Sequence, residues 1–128
     1  MDNELLKRLF FKPEYRAAIL HAPPDYLDRI GIPVIGDLSV RSGLDFIQIF
    51  VTNKLSLLLQ LPRIIRALEP DGLLWISYPE YGSKIPTDLN RYILWAEMGK
   101  YSMAGVAMIS IDDNWSAMRF SPISKVGR

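Results

Sequence analysis

The stretch Leu73-Leu74-Trp75-Ile76-Ser77-Tyr78, entered through Pro70-Asp71-Gly72 and closed by Pro79, constrains this chain more than any other. It is too short for a buried helix and too continuously apolar for a half-exposed strand. It therefore reads as a fully buried strand of a parallel sheet, and such strands have helices packed on both faces. Where it ends and polar residues begin is the expected functional edge.

The other segments arrange themselves around that strand. Leu5, Leu6, Leu9 and Phe10 recur at helical spacing, and Lys12-Pro13 ends the helix they predict. Arg16 to His21 reads as a first strand. Ala22-Pro23-Pro24-Asp25 is a sharp bend leading into a helix whose Tyr26, Leu27 and Ile30 face inward and which Gly31 ends. Val34-Ile35 and Leu38-Val40 suggest a short interrupted strand. Asp45 to Val51 is β-branched and aromatic, hence a strand, and Asn53 caps the helix after it. Pro62 predicts a break in the Leu55–Leu61 helix, with a second helix running from Pro62 to Leu68. Glu69-Pro70-Asp71-Gly72 is the turn into the central strand. Thr87 is read as the cap of a helix with Asp88 in its first turn, ending near Gly99. Ala104 to Ile111 and Trp115 to Phe120 form a closing hairpin around Asp112-Asp113-Asn114.

The expected fold is thus a single α/β domain over 1–128, a three-layer sandwich whose mostly parallel, Rossmann-like sheet ends in an antiparallel β-hairpin. A length of 128 residues suits one domain. The formal net charge of +1 and scattered basic residues argue against nucleic acid as a partner. The absence of cysteine removes disulfides and thiolate metal sites, and a single histidine, His21, leaves no metal set to propose. No stretch approaches the roughly 18 apolar residues of a membrane span. The acidic start Met1-Asp2-Asn3-Glu4 is unlike a secretory signal, so a cytoplasmic location is expected.

Ala67-Leu68-Glu69-Pro70-Asp71-Gly72-Leu73-Leu74-Trp75-Ile76-Ser77 resembles the helix-turn-strand in the second half of class I S-adenosylmethionine-dependent methyltransferases, and the closing hairpin fits that half too. Ser77-Tyr78-Pro79, Lys84, Thr87-Asp88-Leu89-Asn90-Arg91, Trp95 and Asp112 to Phe120 resemble a family of small bacterial proteins of unknown function. The methyltransferase resemblance implies a glycine-rich turn after the first strand and an acidic residue at the end of the second. Here the turn is Ala22-Pro23-Pro24-Asp25, which lacks glycine and two N–H donors. Asp37 is the sole nearby acid, and Arg16 to Asp45 is short for a cofactor-binding half. No cofactor is therefore expected.

In open α/β sheets ligands bind beyond the carboxyl ends of the strands. That edge gathers His21, Lys84, Asp88, Asn90 and Arg91 as candidates for a small anionic ligand, although a cap role for Asp88 and a solvated Lys84 are the plainer readings. His21 is a general base only if a nucleophile accompanies it, and none is evident, so no catalytic residue is assigned. Asp112, Asp113, Trp115 and Arg119 are candidates for a structural lock, an Asp pairing with Arg91 or Arg119 to hold the hairpin to the preceding helix. The three tryptophans are expected in the core. The leading expectation is a non-catalytic module binding a small ligand or partner. The alternatives are a small enzyme acting on an anionic metabolite at the same edge, and a homodimer formed through Leu55–Leu61 or an edge strand Trp115–Phe120.

Overall fold

The computed structural model describes residues 1–38 and 43–126. Its elements run α1 (Asn3–Arg8), β1 (Ala17–Leu20), α2 (Tyr26–Ile30), β2 (Leu44–Phe50), α3 (Lys54–Ala67), β3 (Leu68–Pro79), α4 (Arg91–Gly99), β4 (Met103–Ser110) and β5 (Trp115–Pro122). The sheet order is β1-β2-β3-β5-β4. The β1–β2 and β2–β3 pairs are parallel, and the β3–β5 and β4–β5 pairs antiparallel. This is the expected mixed α/β sheet with its antiparallel hairpin.

Two apolar layers sandwich it. Ile47, Ile49, Leu74, Ile76 and Phe120 on one face meet Leu57, Leu61 and Ile64 of α3 and Leu94 and Met98 of α4. Phe46, Phe50, Trp75 and Ala117 on the other meet Leu5 and Leu6 of α1, Leu9 at its end, and Tyr26 and Ile30 of α2. The period-2 alternation along β2 and β3 feeds both layers, so neither strand has a polar face.

Four expectations need correction. First, α3 is continuous from Lys54 to Ala67 with Pro62 inside it. An interior proline costs about 3 kcal/mol. Burying Leu57, Leu61 and Ile64 on one stripe returns about 1.5–3 kcal/mol for each side chain, which is the larger effect. Second, Glu69–Gly72 is a bulge rather than a simple turn: Leu44 pairs with Leu68 and Phe46 with Leu73, two steps on β2 against five on β3. Third, β5 lies between β3 and β4, so the sheet edge is β4 and not Trp115–Phe120. Fourth, Leu27 is 44% exposed, because five residues of α2 present only Tyr26 and Ile30 to the core. Gly31 ends α2 at φ +69, the left-handed conformation expected of a glycine cap. Of the suggested Val34–Val40 strand, Ile35 makes one parallel bridge to Ala18, and Val40 lies outside the described residues.

Candidate functional site

Beyond the carboxyl end of β3 the chain turns outward through Glu80–Pro86 and returns at α4. The opening between this loop, α4 and the hairpin is a cleft of about 650 Å³, with Tyr78, Glu80, Ser83, Thr87, Asn90 and Arg91 among its walls. A second cleft of about 690 Å³ runs between α4 and β4, walled by Tyr92, Trp95, Ala96, Val106 and Met108 over Met118. The two share Arg91, Tyr92 and Met108.

The sequence of α4 builds this wall in an unexpected way. Leu94, Glu97 and Met98 face the core, while Tyr92, Trp95 and Ala96, also at helical spacing, face out. The buried charge is matched: Glu97 pairs with Lys54 at 3.0 Å and Lys100 at 3.1 Å. Hydrogen bonding from Lys54, then Lys100, holds its carboxyl below the usual glutamate range. With Glu97 turned inward, the aromatic residues are displaced to the surface, and Trp95 is 49% exposed where core burial is expected. Trp75 and Trp115 are buried as expected, and Trp75 donates its indole N–H to Leu9 O at 3.0 Å. Trp95 lies over Gly105, where an added Cβ would come within 2.8 Å of the indole. Only glycine admits that approach.

At the polar end, Asn90 Oδ1 accepts the N–H groups of Tyr92 and Ile93 and so caps α4, the role expected of Thr87. Thr87 Oγ1 accepts Leu89 N–H within the loop instead. Arg91 donates to the Tyr92 hydroxyl at 2.9 Å and lies over its ring at 4.9 Å. Among the described residues Arg91 has no carboxylate partner. Ser116 donates its hydroxyl to Glu80 Oε2. Tyr78 donates to Met108 Sδ at 3.5 Å, and burial, then the Glu80 charge, push its hydroxyl up from the ordinary value while Arg91 opposes them.

The remaining candidates stand elsewhere. His21 is exposed, at φ +57, with Nε2 2.8 Å from Gln60 Oε1 of α3, and it lines neither cleft. Lys84 is exposed on the loop and also lines neither. Asp88 Oδ1 accepts the N–H of Lys54, which makes it a cap of α3 rather than of α4. Among the described residues Asp112 pairs with neither Arg91 nor Arg119 but with a cation of α2. Asp112 Oδ2 is 3.8 Å from Arg29 of α2, and Asp112 Oδ1 accepts the N–H groups of Asn114 and Trp115. Arg29 also pairs with Asp2 at 2.8 Å and donates to Ile111 O, so it joins the chain start to the hairpin. Asp113 is an exposed turn residue. Arg119 lies near the rings of Phe10 and Trp75, and Arg91 is in neither arrangement.

Sequence reasoning also missed a buried polar chain. Tyr26 donates to Gln48 Oε1 at 2.8 Å, and Gln48 Nε2 donates to Ser77 Oγ at 2.9 Å. Burial raises the Tyr26 hydroxyl well above its ordinary value. The signal was present in Gln48, a lone amide inside Phe46-Ile47-Gln48-Ile49-Phe50, which a buried strand tolerates only with partners.

Among solved structures, the chain is similar to the mitomycin 7-O-methyltransferase MmcR, at TM-score 0.59 and 15% identity over 94% of this chain and 44% of that one. It is also similar to the ribosomal protein L11 methylase of Lactobacillus delbrueckii subsp. bulgaricus, at TM-score 0.51 and 13% identity over 82% and 56%. LepI, in a structure of its complex with SAM, matches at TM-score 0.54 and 14% identity over 94% and 39%. The chain thus spans about half or less of the length of these relatives in fold. No protein-family model and no curated protein matches it. The fold is methyltransferase-like.

The residues after β1 do not suit S-adenosylmethionine. The His21–Asp25 connection has two prolines and no glycine, and Asp25 makes no side-chain cap at the start of α2. Edge-to-face packing of Tyr26 on Phe50 and of Phe50 on Trp115, at 4.7 and 5.0 Å, fills the adjoining face. The hollow of about 560 Å³ beside the prolines is lined by Arg29 together with Asp25 and Asp112, and Arg29 is already paired with Asp2 and Asp112.

Proposed function

We propose that this chain is a non-catalytic binding module on a methyltransferase-like fold, and that it holds a small anionic ligand at the Tyr78–Arg91 edge. The observation that carries the reading is Arg91: a guanidinium at the junction of two clefts, steadied by Tyr92 and unmatched by any carboxylate among the described residues. Such an exposed cation is available to an anion. His21 lies outside both clefts, so the histidine of the enzyme alternative does not face this site.

Thermal-shift measurements test this. Phosphate, nucleoside monophosphates, and aliphatic and aromatic carboxylates are compared with S-adenosylmethionine, on the wild type and on Arg91→Gln. At least one small anion should raise the melting temperature with concentration in the wild type and lose that effect in the variant. A rise with S-adenosylmethionine that Arg91→Gln leaves intact would overturn the reading.

A second reading, self-association, is favoured by the edge strand β4, which carries no charged residue and exposes Val106 and Met108. It predicts a dimer mass in light scattering.

A further inference from the structure

The structure points to a narrower ligand class, and we propose it as a deepening of the anion reading, on which it rests: the two clefts are one site for an α-amino acid with an apolar side chain. The clefts adjoin at Arg91, Tyr92 and Met108, which wall both, so a single small molecule lying across that boundary would place its head in one and its body in the other.

The polar cleft carries opposite charges, Glu80 and Arg91, and these do not pair with each other among the described residues. Glu80 is oriented by the Ser116 hydroxyl through Oε2, and Arg91 by the Tyr92 hydroxyl. Each is held on one side, with donor or acceptor capacity remaining on the other. A plain anion would gain Arg91 and be repelled by Glu80, and a plain amine would meet the reverse. A neutral molecule would desolvate both without replacing their water. A zwitterion, with carboxylate toward the guanidinium and ammonium toward Glu80, satisfies both at once.

The second cleft supplies the side-chain part. Its walls are Tyr92, Trp95 and Ala96 on α4 and Val106 and Met108 on β4, over Met118, with Gly105 letting Trp95 lie close to the strand. Tyr92, Trp95, Val106 and Met108 are exposed large apolar residues on one continuous patch, and an apolar side chain seated there would cover them.

The test titrates the full chain with L-phenylalanine, L-leucine and L-methionine, and with 3-phenylpropanoate, phenethylamine and glycine. Calorimetry and tryptophan fluorescence are the readouts; Trp95 is the exposed indole and reports on the apolar cleft. One of the three apolar amino acids should bind about ten-fold or more tightly than glycine, phenylpropanoate and phenethylamine, a difference of about 1.4 kcal/mol. Glu80→Gln and Arg91→Gln should each weaken it about ten-fold, with unchanged thermal melts showing that both variants are folded. Phenylpropanoate binding as tightly as phenylalanine, with the Arg91 dependence kept, overturns the amino acid and leaves the anion reading standing. Glycine binding as tightly as the apolar amino acids overturns the role of the α4–β4 cleft. Failure of every carboxylate to bind, with Arg91→Gln indistinguishable from wild type, overturns both readings together.

Discussion

Asp88 Oδ1 accepts the backbone N–H of Lys54 at 2.8 Å, so the loop before α4 closes the first turn of α3, thirty-four residues earlier in the chain. Asn53 Oδ1 accepts Ser56 N–H in the same turn. Asp88→Ala should therefore cost about 1 kcal/mol of stability, the usual worth of a cap. Asp88→Asn, which keeps the acceptor, should restore most of it in chemical denaturation. Neither substitution should change ligand binding at Arg91, since Asp88 lines neither cleft.

Lys54 also reaches Glu97 with its side chain, and that pair makes stability depend on pH. The Glu97 carboxyl is lowered from an ordinary value near 4.5, first by Lys54 and then by Lys100. A carboxyl with a depressed folded pKa favours the folded state when ionised. Its contribution is fully present above about pH 4.5 and is lost as pH falls through the lower folded value. Melting temperatures followed downward from pH 6 should fall more steeply in the wild type than in Glu97→Gln. A residual slope should persist in the variant, because Asp2 is also lowered, by the Leu5 N–H and then Arg29.

Legibility in the sequence tracks the range of the interactions. β2 and β3 announced themselves because their residues face two apolar layers, and the hairpin was marked by Asp112-Asp113-Asn114. Gly31 signalled the end of α2 by its own conformational freedom. The misread features depend on partners distant in sequence. Asp88 looked like a cap of the helix it precedes but caps another. Asp112 found Arg29 instead of Arg91 or Arg119, since β5 enters between β3 and β4 and brings the hairpin over α2. Glu97 is buried, reached by the exposed Lys54 and Lys100, while Trp95 faces out, which no local pattern in α4 could show. The candidate site was located by strand ends, with Asn90 and Arg91 at it, but Glu80, Ser116 and the apolar wall emerge only from the packing.

Gln48 bridges Tyr26 and Ser77 within the core, and all three residues are buried. Gln48→Leu orphans two groups and should cost about 1–3 kcal/mol for each. Tyr26→Phe removes one donor and leaves only Gln48 Oε1 without a partner, so its cost should be smaller. Combining Tyr26→Phe, Gln48→Leu and Ser77→Ala should recover part of the Gln48→Leu loss, because no polar group is then stranded. Urea denaturation of the series measures this, and strictly additive costs would contradict it.

Pro62 is exposed on α3 and cannot donate to the carbonyl four residues earlier, at Leu58. Replacing it with alanine supplies that donor and removes the ring from the preceding turn, in a helix the chain already forms without interruption. The opposing term is the restriction that proline imposes on the unfolded chain, about 0.4–1 kcal/mol. An interior helix proline costs about 3 kcal/mol, so the balance favours alanine. Pro62→Ala should raise stability by about 2 kcal/mol, read as a higher denaturation midpoint at unchanged slope. A lower midpoint would mean that the proline shapes how Leu61 and Ile64 seat on the sheet, and that packing there depends on a local departure from regular helix.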